Sequence, residues 1–238
     1  MREYSIIVPT YPPDFYLLHS LVKQINSFTI ENHYKINEII FAASEITEFE
    51  ATIIEEELKN ISKYKVIVNS SEEKCNAAKN RNRGWESVTG EWIVFLDCDD
   101  IYHKDKIKVT NQAIEKHKDS SLFLHSYLFG YEYTEIDNLF NRTLNLEDDI
   151  YDYGDNVYKK TFPEGKWIDI EYAYNGNTNL SSFIPRFAHG ISTVKASCTS
   201  RYPENFKIGE DGLFCRTVCF NYGEVIITNL PLMIYNLS

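Results

Sequence analysis

The segment Gly90–Asp100, GEWIVFLDCDD, places an apolar run directly before three acidic residues. Five consecutive apolar residues without alternation predict a strand that is buried on both faces. Asp97, Asp99 and Asp100 cannot lie in that core, because an unpaired buried charge is very costly. We therefore expect them at the carboxyl edge of a sheet, where open α/β folds bind their ligands. The alternative is that Asp99 or Asp100 caps the next helix.

The first half of the chain alternates short apolar runs with segments of helical periodicity. The runs YSIIVPT, EIIFAAS and YKVIVNS precede EWIVFLD, and each is followed by a helical pattern. This order is typical of a parallel sheet that is covered by helices on both faces. It predicts an α/β fold.

The second half of the chain is less regular. Residues 134–180 are acidic, rich in tyrosine and without clean periodicity, which predicts an irregular insertion. A strand (AHGISTVKAS), a helix (GEDGLFCRTVCFNYG) and a last strand (EVIITN) follow. We expect one domain over residues 1–238, with a nucleotide-binding half at 1–128 and a second half at 129–238.

Charge and cysteine content limit the possible partners and the compartment. The net charge of -11 argues against nucleic acid or an anionic membrane surface as the main partner. The five cysteines are odd in number and show no CxxC spacing, so no disulfide is implied. The amino terminus enters a strand at once, and no stretch approaches the roughly 20 apolar residues of a membrane span. We expect a soluble, cytoplasmic protein without a transmembrane segment.

These segments resemble, in order and spacing, the family 2 glycosyltransferases with the GT-A fold. The matching motifs are SIIVPTY, EII, RNRGWESVTGEWIVFLDCDD and GEDGLFCR. The resemblance covers most of residues 4–128 and returns near 186–222. It implies a GT-A-like fold, with a Rossmann-type half, a mixed central sheet and helices on both faces. It also implies an inverting transferase that moves a sugar from a nucleotide-sugar donor to a hydroxyl of a glycan, lipid-linked or protein acceptor.

In the family, the Asp-x-Asp element binds a divalent cation and the donor's ribose. Carried over to this chain, Asp97 faces the ribose or the metal, and Asp99 is the main metal ligand. Cys98, between them, is included among the donor contacts. Carboxylate oxygens are hard ligands that suit Mn²⁺ or Mg²⁺, so one of these is the expected cofactor.

Two further segments are expected on the donor side. Pro9, Thr10 and Tyr11 end the first strand, where family members hold the nucleotide base. Tyr11 is a candidate to stack on that base, or else a turn residue. Arg81 occupies the place of the family's Arg-Asn pair and is expected to contact the donor; a solvated helix face is the alternative.

One departure from the family concerns the nucleobase. After EII the family usually has two apolar residues and then an acid, often a pair, that reads the base. Ala43 and Ser44 stand in those places here, and Glu45 follows. We expect Ser44 and Glu45 to contact the donor. We also expect the donor to be a GDP- or dTDP-linked sugar rather than a uridine-linked one.

The acceptor side depends on the Glu-Asp motif. An inverting transfer needs a carboxylate that takes the acceptor's proton as the new bond forms. In the family this base heads a helix, so Asp211 is the predicted catalytic base and Glu210 an acceptor contact. A helix cap is the alternative role for Asp211. His189 is a candidate metal ligand or acceptor contact, with a structural histidine as the alternative.

Two other functions fit part of the sequence. A haloacid-dehalogenase-like phosphatase also carries Asp-x-Asp after an apolar strand, but its nucleophile usually follows the first strand, whereas Asp97 follows the fourth. A catalytically degenerate, carbohydrate-binding protein of the same fold would account for the missing base-reading acids. Release of nucleotide from a donor separates the enzyme from the binding protein.

Overall fold

A computed structural model of the chain describes residues 1–129, 143–144, 157–161, 189–206, 209–222 and 224–236. The predicted alternation of strands and helices is present in the first half. Its elements are β1 (Arg2–Thr10), a 3₁₀ turn (Pro12–Asp14), α1 (Phe15–Asn26), β2 (Tyr34–Ala43), α2 (Glu48–Lys59), β3 (Lys65–Asn69), α3 (Ala77–Trp85), β4 (Trp92–Phe95), β5 (Ile101–Tyr102), α4 (Lys106–Lys116) and β6 (Leu122–Phe129).

The second half contributes further strands and one helix among the described residues. They are β7 (Val157–Thr161), a 3₁₀ turn (His189–Ile191), β8 (Ser192–Lys195), α5 (Glu210–Tyr222) and β9 (Glu224–Tyr235). Within the segment that we expect to be an irregular insertion, residues 134–180, the described strand β7 pairs with β9. Apart from residues 143–144, the rest of that segment lies outside the described residues.

The described strands form one nine-stranded sheet in the order β3-β2-β1-β4-β8-β6-β9-β5, with β7 also paired to β9. The four strands β3, β2, β1 and β4 are parallel. β8 runs antiparallel to both β4 and β6. The sheet is therefore mixed, as predicted, with a parallel half of the kind that binds nucleotides at its carboxyl edge.

The core lies between the parallel strands and the helices. Every residue of β4 is buried, as expected for a strand covered on both faces. Helix α1 buries Leu18, Leu21, Val22 and Ile25, which share one helical face. Each such side chain stabilises the fold by about 1.5–3 kcal/mol relative to an exposed position. Burial of the apolar residues thus fixes where β4 ends and where its acidic residues emerge.

Glycine at position 84 allows α3 to approach the sheet closely. A Cβ atom built on Gly84 would lie 2.8 Å from Cγ2 of Ile7 on β1, a distance that real Cβ contacts do not reach. The short separation places the carboxyl-terminal end of α3 directly against β1 and β2.

An aromatic cluster joins the second half of the chain to this frame. Tyr202 and Phe214 stack with ring centroids 4.0 Å apart. Phe95 of β4 meets Tyr202 edge-on at 5.2 Å, and Trp85 of α3 meets Phe214 at 6.1 Å. Aromatic pairs at these distances stabilise packing beyond the area that they bury. The cluster holds α5 against α3 and β4.

Candidate active site

The acidic turn, which we define as residues 96–100, connects β4 to β5 at the carboxyl end of β4. The predicted edge position of its acids is therefore correct. No helix begins at Asp99 or Asp100, because α4 starts at Lys106 and Asp105 precedes it. The helix-capping alternative for these two acids is wrong.

Arg81 of α3 forms an ion pair with Asp97, with Nη2 2.5 Å from Oδ1. The Arg81 side chain is only 1% exposed, whereas that of Asp97 is 22% exposed. Burial alone would lower the pKa of Arg81, but the charge of Asp97, and more weakly that of Glu210, raise it above its usual value. Arg81 is thus a buried cation that holds Asp97, and the solvated-face alternative is wrong.

The Arg81 guanidinium has further capacity for contacts. Its Cζ lies 5.4 Å from the centroid of the Tyr202 ring, within the range of a cation–π interaction. Its Nε and Nη1 atoms are buried and make no hydrogen bond within the part of the chain that the structure describes. Two charged donors therefore remain unmatched directly behind the acidic turn.

Asp100 is buried, and its neighbours disfavour its charged form. Its Oδ1 accepts a hydrogen bond from the backbone N–H of Asn236 at 3.1 Å. Burial, followed by the charges of Asp97 and Asp99, raises its pKa to about 8. Carboxylates brought this close repel one another, and a divalent cation bound between them would offset that repulsion.

The oxygen ligands of the turn suit a cation that is shared with a substrate. Among the described residues, no group of three or more His, Cys, Asp or Glu side chains is arranged to hold a metal by itself. Mg²⁺ is usually bound by one or two carboxylates together with water and substrate phosphates. Asp99, with Asp97 beside it, fits this kind of site. The side chain of His189 lies outside the described residues, and its role as a ligand remains a prediction.

Tyr11 lies at the carboxyl end of β1, beside the acidic turn. Pro9 and Thr10 are buried residues that end this strand, and Tyr11 follows with 45% of its surface exposed. The charge of Asp14, then burial, then Cys98 and the turn's acids raise the pKa of Tyr11. Its ring is therefore exposed next to the acids, and stacking on a nucleobase remains its predicted role.

Asp14 is a fourth carboxylate near the turn that the sequence motifs did not identify. It makes no side-chain capping bond to α1. The pKa of Asp14 is raised above its usual value, mainly by burial. A hydrogen bond from the Cys98 thiol offsets part of this increase, and the charge of Asp97 adds to it. Cys98 is buried in the turn, which raises the pKa of its thiol, and its hydrogen bond to Asp14 links the turn to the 3₁₀ turn after β1.

The residues at the places of the family's base-reading acids are engaged inside the protein. Ser44 is buried, and its Oγ lies 3.3 Å from Nδ2 of Asn80. The Ala43 carbonyl accepts a hydrogen bond from Nη2 of Arg83 at 2.6 Å. Glu45 is exposed and has a φ of 61°, which is unusual for a residue other than glycine. Donor contacts by Ser44 and Glu45 remain predictions.

Glu210 and Asp211 are the first two residues of α5. Asp211 lies inside the helix and not at its cap position, and its Oδ1 accepts the backbone N–H of Gly212 at 2.7 Å. Glu210 is close enough to Arg81 for its charge to raise the pKa of that guanidinium. Phe214 of the same helix packs against Phe95 of β4 with ring centroids 6.0 Å apart, so the start of α5 lies close to the strand that leads into the acidic turn.

Tyr235, at the end of β9, links the two groups of acids, and no sequence motif pointed to it. Its ring packs 5.5 Å from the ring of Tyr127. Burial raises its pKa first, and the charges of all three acids of the turn and of Asp211 raise it further. One half-buried tyrosine is thus within electrostatic reach of both the predicted donor site and the predicted base.

Polar residues of β5 and α4 form a buried group next to the acidic turn. The Tyr102 hydroxyl accepts the backbone N–H of Asp97 at 2.6 Å. Lys106 is buried, donates to the Gly190 carbonyl at 2.7 Å and contacts His125. Burial lowers the pKa of Lys106 well below its usual value. Tyr102 lies on β5, which is too short to give a periodic signal, so the sequence did not predict its contact with the turn.

The family model of Glycosyl transferase family 2 matches residues 5–163, which is more than half of the chain. The chain belongs to glycosyl transferase family 2. The resemblance seen in the sequence is confirmed, and the phosphatase alternative is wrong.

Two curated members show how similar the relatives are. The amylovoran biosynthesis glycosyltransferase AmsB of Erwinia amylovora is 28% identical over 114 residues, which are 48% of this chain and 36% of that protein. The poly(ribitol-phosphate) β-N-acetylglucosaminyltransferase TarS of Staphylococcus aureus is 27% identical over 134 residues, which are 52% of this chain and 21% of that protein. The regions matched are therefore small parts of these longer relatives.

Solved structures confirm the GT-A-like fold. The S. aureus TarS fragment 1-349 in complex with UDP has a TM-score of 0.63 at 18% identity, covering 100% of this chain and 61% of that one. The mannosyltransferase PcManGT from Pyrobaculum calidifontis, in complex with GDP-Man and Mn²⁺, has a TM-score of 0.60 at 12% identity, covering 100% of this chain and 58% of that one. Within the described residues, no helix combines the length and the apolar character that crossing a membrane requires.

Proposed function

We propose that this chain is a metal-dependent, inverting glycosyltransferase that moves a sugar from a nucleotide-sugar donor to a hydroxyl group of an acceptor. The observation that carries the proposal is the ion pair by which the buried Arg81 holds Asp97 at the carboxyl end of β4, beside Asp99. Membership of glycosyl transferase family 2 and the UDP- and GDP-Man-bound structures of similar proteins support it.

On the donor side, residues of the chain would bind and orient the nucleotide sugar. The exposed ring of Tyr11 would stack on the base, and Asp97 would accept hydrogen bonds from the ribose hydroxyls. Arg81 is predicted to contact the donor, but it is buried behind Asp97, so we assign it instead the role of fixing the direction of that carboxylate. A rigidly held carboxylate positions the donor more accurately than a free one, because less rotamer freedom is lost on binding.

Asp99 would hold the cation, with Asp97 beside it. A bound Mn²⁺ or Mg²⁺ would supply positive charge where the departing diphosphate becomes more negative. The buried guanidinium of Arg81, paired with Asp97, offsets one of the negative charges of the same turn. A chain with a net charge of -11 needs such local positive charge to accept a diphosphate.

On the acceptor side, Asp211 would take the proton of the attacking hydroxyl. That hydroxyl attacks well only if its proton leaves as the new bond forms. The amino terminus of α5 favours a negatively charged side chain, which keeps Asp211 available as a base. Attack from the side opposite to the diphosphate inverts the anomeric carbon. Glu210, next to Asp211, and His189 would contact the acceptor, which we expect to be a glycan, lipid-linked or protein hydroxyl.

We extend the proposal to the domain organisation and to the nucleobase. Residues 1–128 would bind the donor and residues 129–238 the acceptor, within one domain. Because Ser44 is buried against Asn80 and Ala43 carries no acid, the family's usual way of reading uridine is absent at these positions. We therefore expect a GDP- or dTDP-linked donor to bind at least as well as a UDP-linked one.

One experiment tests the proposal and separates it from a binding protein that has lost activity. The protein is incubated with UDP-, GDP- and dTDP-sugars and Mn²⁺, and release of nucleoside diphosphate is measured with and without EDTA. We expect release from at least one donor, and we expect EDTA to abolish it. Donor binding without release under any of these conditions would favour a carbohydrate- or nucleotide-binding protein and would overturn the enzymatic proposal.

A further inference from the structure

The acidic turn depends on β9 for support at its carboxyl-terminal side. β4, which precedes the turn, pairs with β1 and β8. β5, which follows the turn, pairs within the described residues with β9, through Ile101–Ile234 and Tyr102–Met233. In the sheet order, β4 and β5 are four places apart although the turn between them is short. The turn therefore spans from one part of the sheet to another, and β9 anchors its far end.

Asn236, the residue after β9, makes two hydrogen bonds to the turn. Its side-chain Nδ2 donates to the backbone carbonyl of Asp99 at 2.5 Å. Its backbone N–H donates to Oδ1 of Asp100 at 3.1 Å. On the other side of the turn, the Tyr102 hydroxyl accepts the N–H of Asp97 at 2.6 Å. Groups of all three acidic residues are thus bonded to residues outside the turn.

These bonds matter because residues 96–100 lie between two strands and belong to no helix or strand themselves. A fixed carbonyl at Asp99 fixes the peptide plane next to its Cα, and with it the direction in which its side chain leaves the backbone. A cation ligand has to be held within about 0.5 Å of its productive position. A turn without such supports would not hold Asp99 that closely.

We propose that Asn236 is a positioning residue for Asp99, through which the last strand of the sheet fixes the predicted cation site. The inference rests on the proposed function for the role of Asp99. The contact joins positions 137 residues apart in the chain, so the acceptor half of the chain contributes directly to the geometry of the donor site.

The first test follows the turn itself and needs no ligand. Cys98 is buried in the middle of the turn, so its rate of alkylation by a small thiol reagent reports how often the turn opens. In Asn236→Ala we expect Cys98 to react roughly 2- to 10-fold faster, the range that the loss of one hydrogen bond allows. Cys198 and Cys215 are buried elsewhere and serve as internal controls, resolved by peptide mass spectrometry.

A matched variant controls for the loss of an amide hydrogen bond as such. Asn221 donates through Nδ2 to Oγ of Ser200 at 3.0 Å, away from the acidic turn. In Asn221→Ala we expect Cys98 to react at the wild-type rate. Equal acceleration of Cys98, Cys198 and Cys215 in Asn236→Ala would indicate general loosening and would overturn the inference. If Asn236→Ala does not fold, Asn236→Ser is measured in its place, with the same outcomes.

The second test concerns the cation. Binding of Mn²⁺ together with UDP, GDP or dTDP is measured by calorimetry for the wild type and for both variants, and their thermal unfolding is compared. We expect the Kd of Asn236→Ala to be roughly 2- to 10-fold higher than that of the wild type, by the same hydrogen-bond argument, and the Kd of Asn221→Ala to be unchanged. Wild-type affinity in Asn236→Ala would overturn the inference. Faster alkylation of Cys98 in Asn236→Ala, in a protein whose wild type binds no Mn²⁺ with UDP, GDP or dTDP, would instead support the positioning of the turn and overturn the proposed function.

Discussion

Arg81 on α3 and Asp97 at the end of β4 form an ion pair of 2.5 Å in which the arginine is almost completely buried. Arg81 thus places a buried positive charge beside the edge of the sheet where the acids lie. Burying a charge is costly unless a partner compensates for it. The stability of the fold and the orientation of Asp97 are therefore linked through one contact.

Removal of the Asp97 carboxylate should destabilise the protein. In Asp97→Ala, Arg81 keeps its charge in a buried place without its partner, and the free energy of unfolding should fall by about 3 kcal/mol, the lower end of the range for broken buried pairs. The lower end is expected because Asp97 is itself 22% exposed. Urea unfolding monitored by circular dichroism measures the change.

The control is a solvent-exposed ion pair. Lys79 and Glu73 are 3.0 Å apart at the surface, and Glu73→Ala should leave the urea midpoint nearly unchanged because exposed pairs contribute little. If Asp97→Ala is no more destabilising than Glu73→Ala, the Arg81 charge is compensated by other groups and the pair does not link stability to the site.

Asp99→Ala tests the cation site directly. The substitution keeps the backbone carbonyl that Asn236 contacts, so the turn should remain in place while its main predicted ligand is lost. Mn²⁺-dependent binding of the donor should be abolished, and the urea midpoint should change little. Calorimetry with a nucleotide sugar, with and without Mn²⁺, measures both effects. Donor and Mn²⁺ binding at wild-type strength would show that Asp99 is not the ligand.

Much of the frame around this site follows from local sequence. The alternation of apolar runs and helical periods predicts β1 to β4 and α1 to α3, and an apolar run that ends in acids predicts their place at the sheet edge. These features can be predicted because a buried strand and an amphipathic helix are each recognised from a run of consecutive residues. The predicted mixed sheet and the helix at α5 rest on the same kind of signal together with the family resemblance.

The contacts that orient the site do not follow from local sequence. Arg81 lies in a polar stretch of α3 whose pattern is compatible with a solvated face, and its guanidinium lies against the ring of Tyr202, more than a hundred residues later. Asn236 meets Asp99 across 137 positions. β5 has only two residues, too few for any periodicity. The first two contacts join residues that are far apart in the chain, and the third element is too short to be recognised. No local sequence pattern predicts any of them.

The stability of the protein should depend on pH through Asp100. Its pKa is raised to about 8 in the folded protein, mainly by burial and then by the charge of Asp97, whereas an unperturbed aspartate titrates near 3.9. The folded state therefore binds this proton more tightly than the unfolded state. The resulting stabilisation is fully present below about pH 4 and is lost as the pH rises to about 8.

Asp100→Asn removes this titration and retains an oxygen that can accept the N–H of Asn236. The free energy of unfolding of the variant, relative to the wild type, should therefore rise steadily between about pH 4 and pH 8. Urea unfolding of both proteins at several pH values measures the difference. A difference that is independent of pH over this range would mean that Asp100 does not carry a raised pKa in the folded protein.

Asp211→Asn tests the predicted base at the start of α5. The amide keeps the shape of the side chain and an oxygen that can accept the N–H of Gly212, but it does not take a proton at neutral pH. The rate of sugar transfer should fall by about 10²–10⁴-fold, the usual contribution of general base catalysis. Donor affinity should persist, because Asp211 lies on α5 and the predicted cation ligands lie on the acidic turn. Glu210→Gln is the matched control, since it removes the neighbouring carboxylate of the same helical turn, and its effect should appear mainly in the KM for the acceptor. Transfer by Asp211→Asn at close to the wild-type rate would leave Asp211 with a structural role in the first turn of α5, and equal losses in both variants would indicate that the two carboxylates act together.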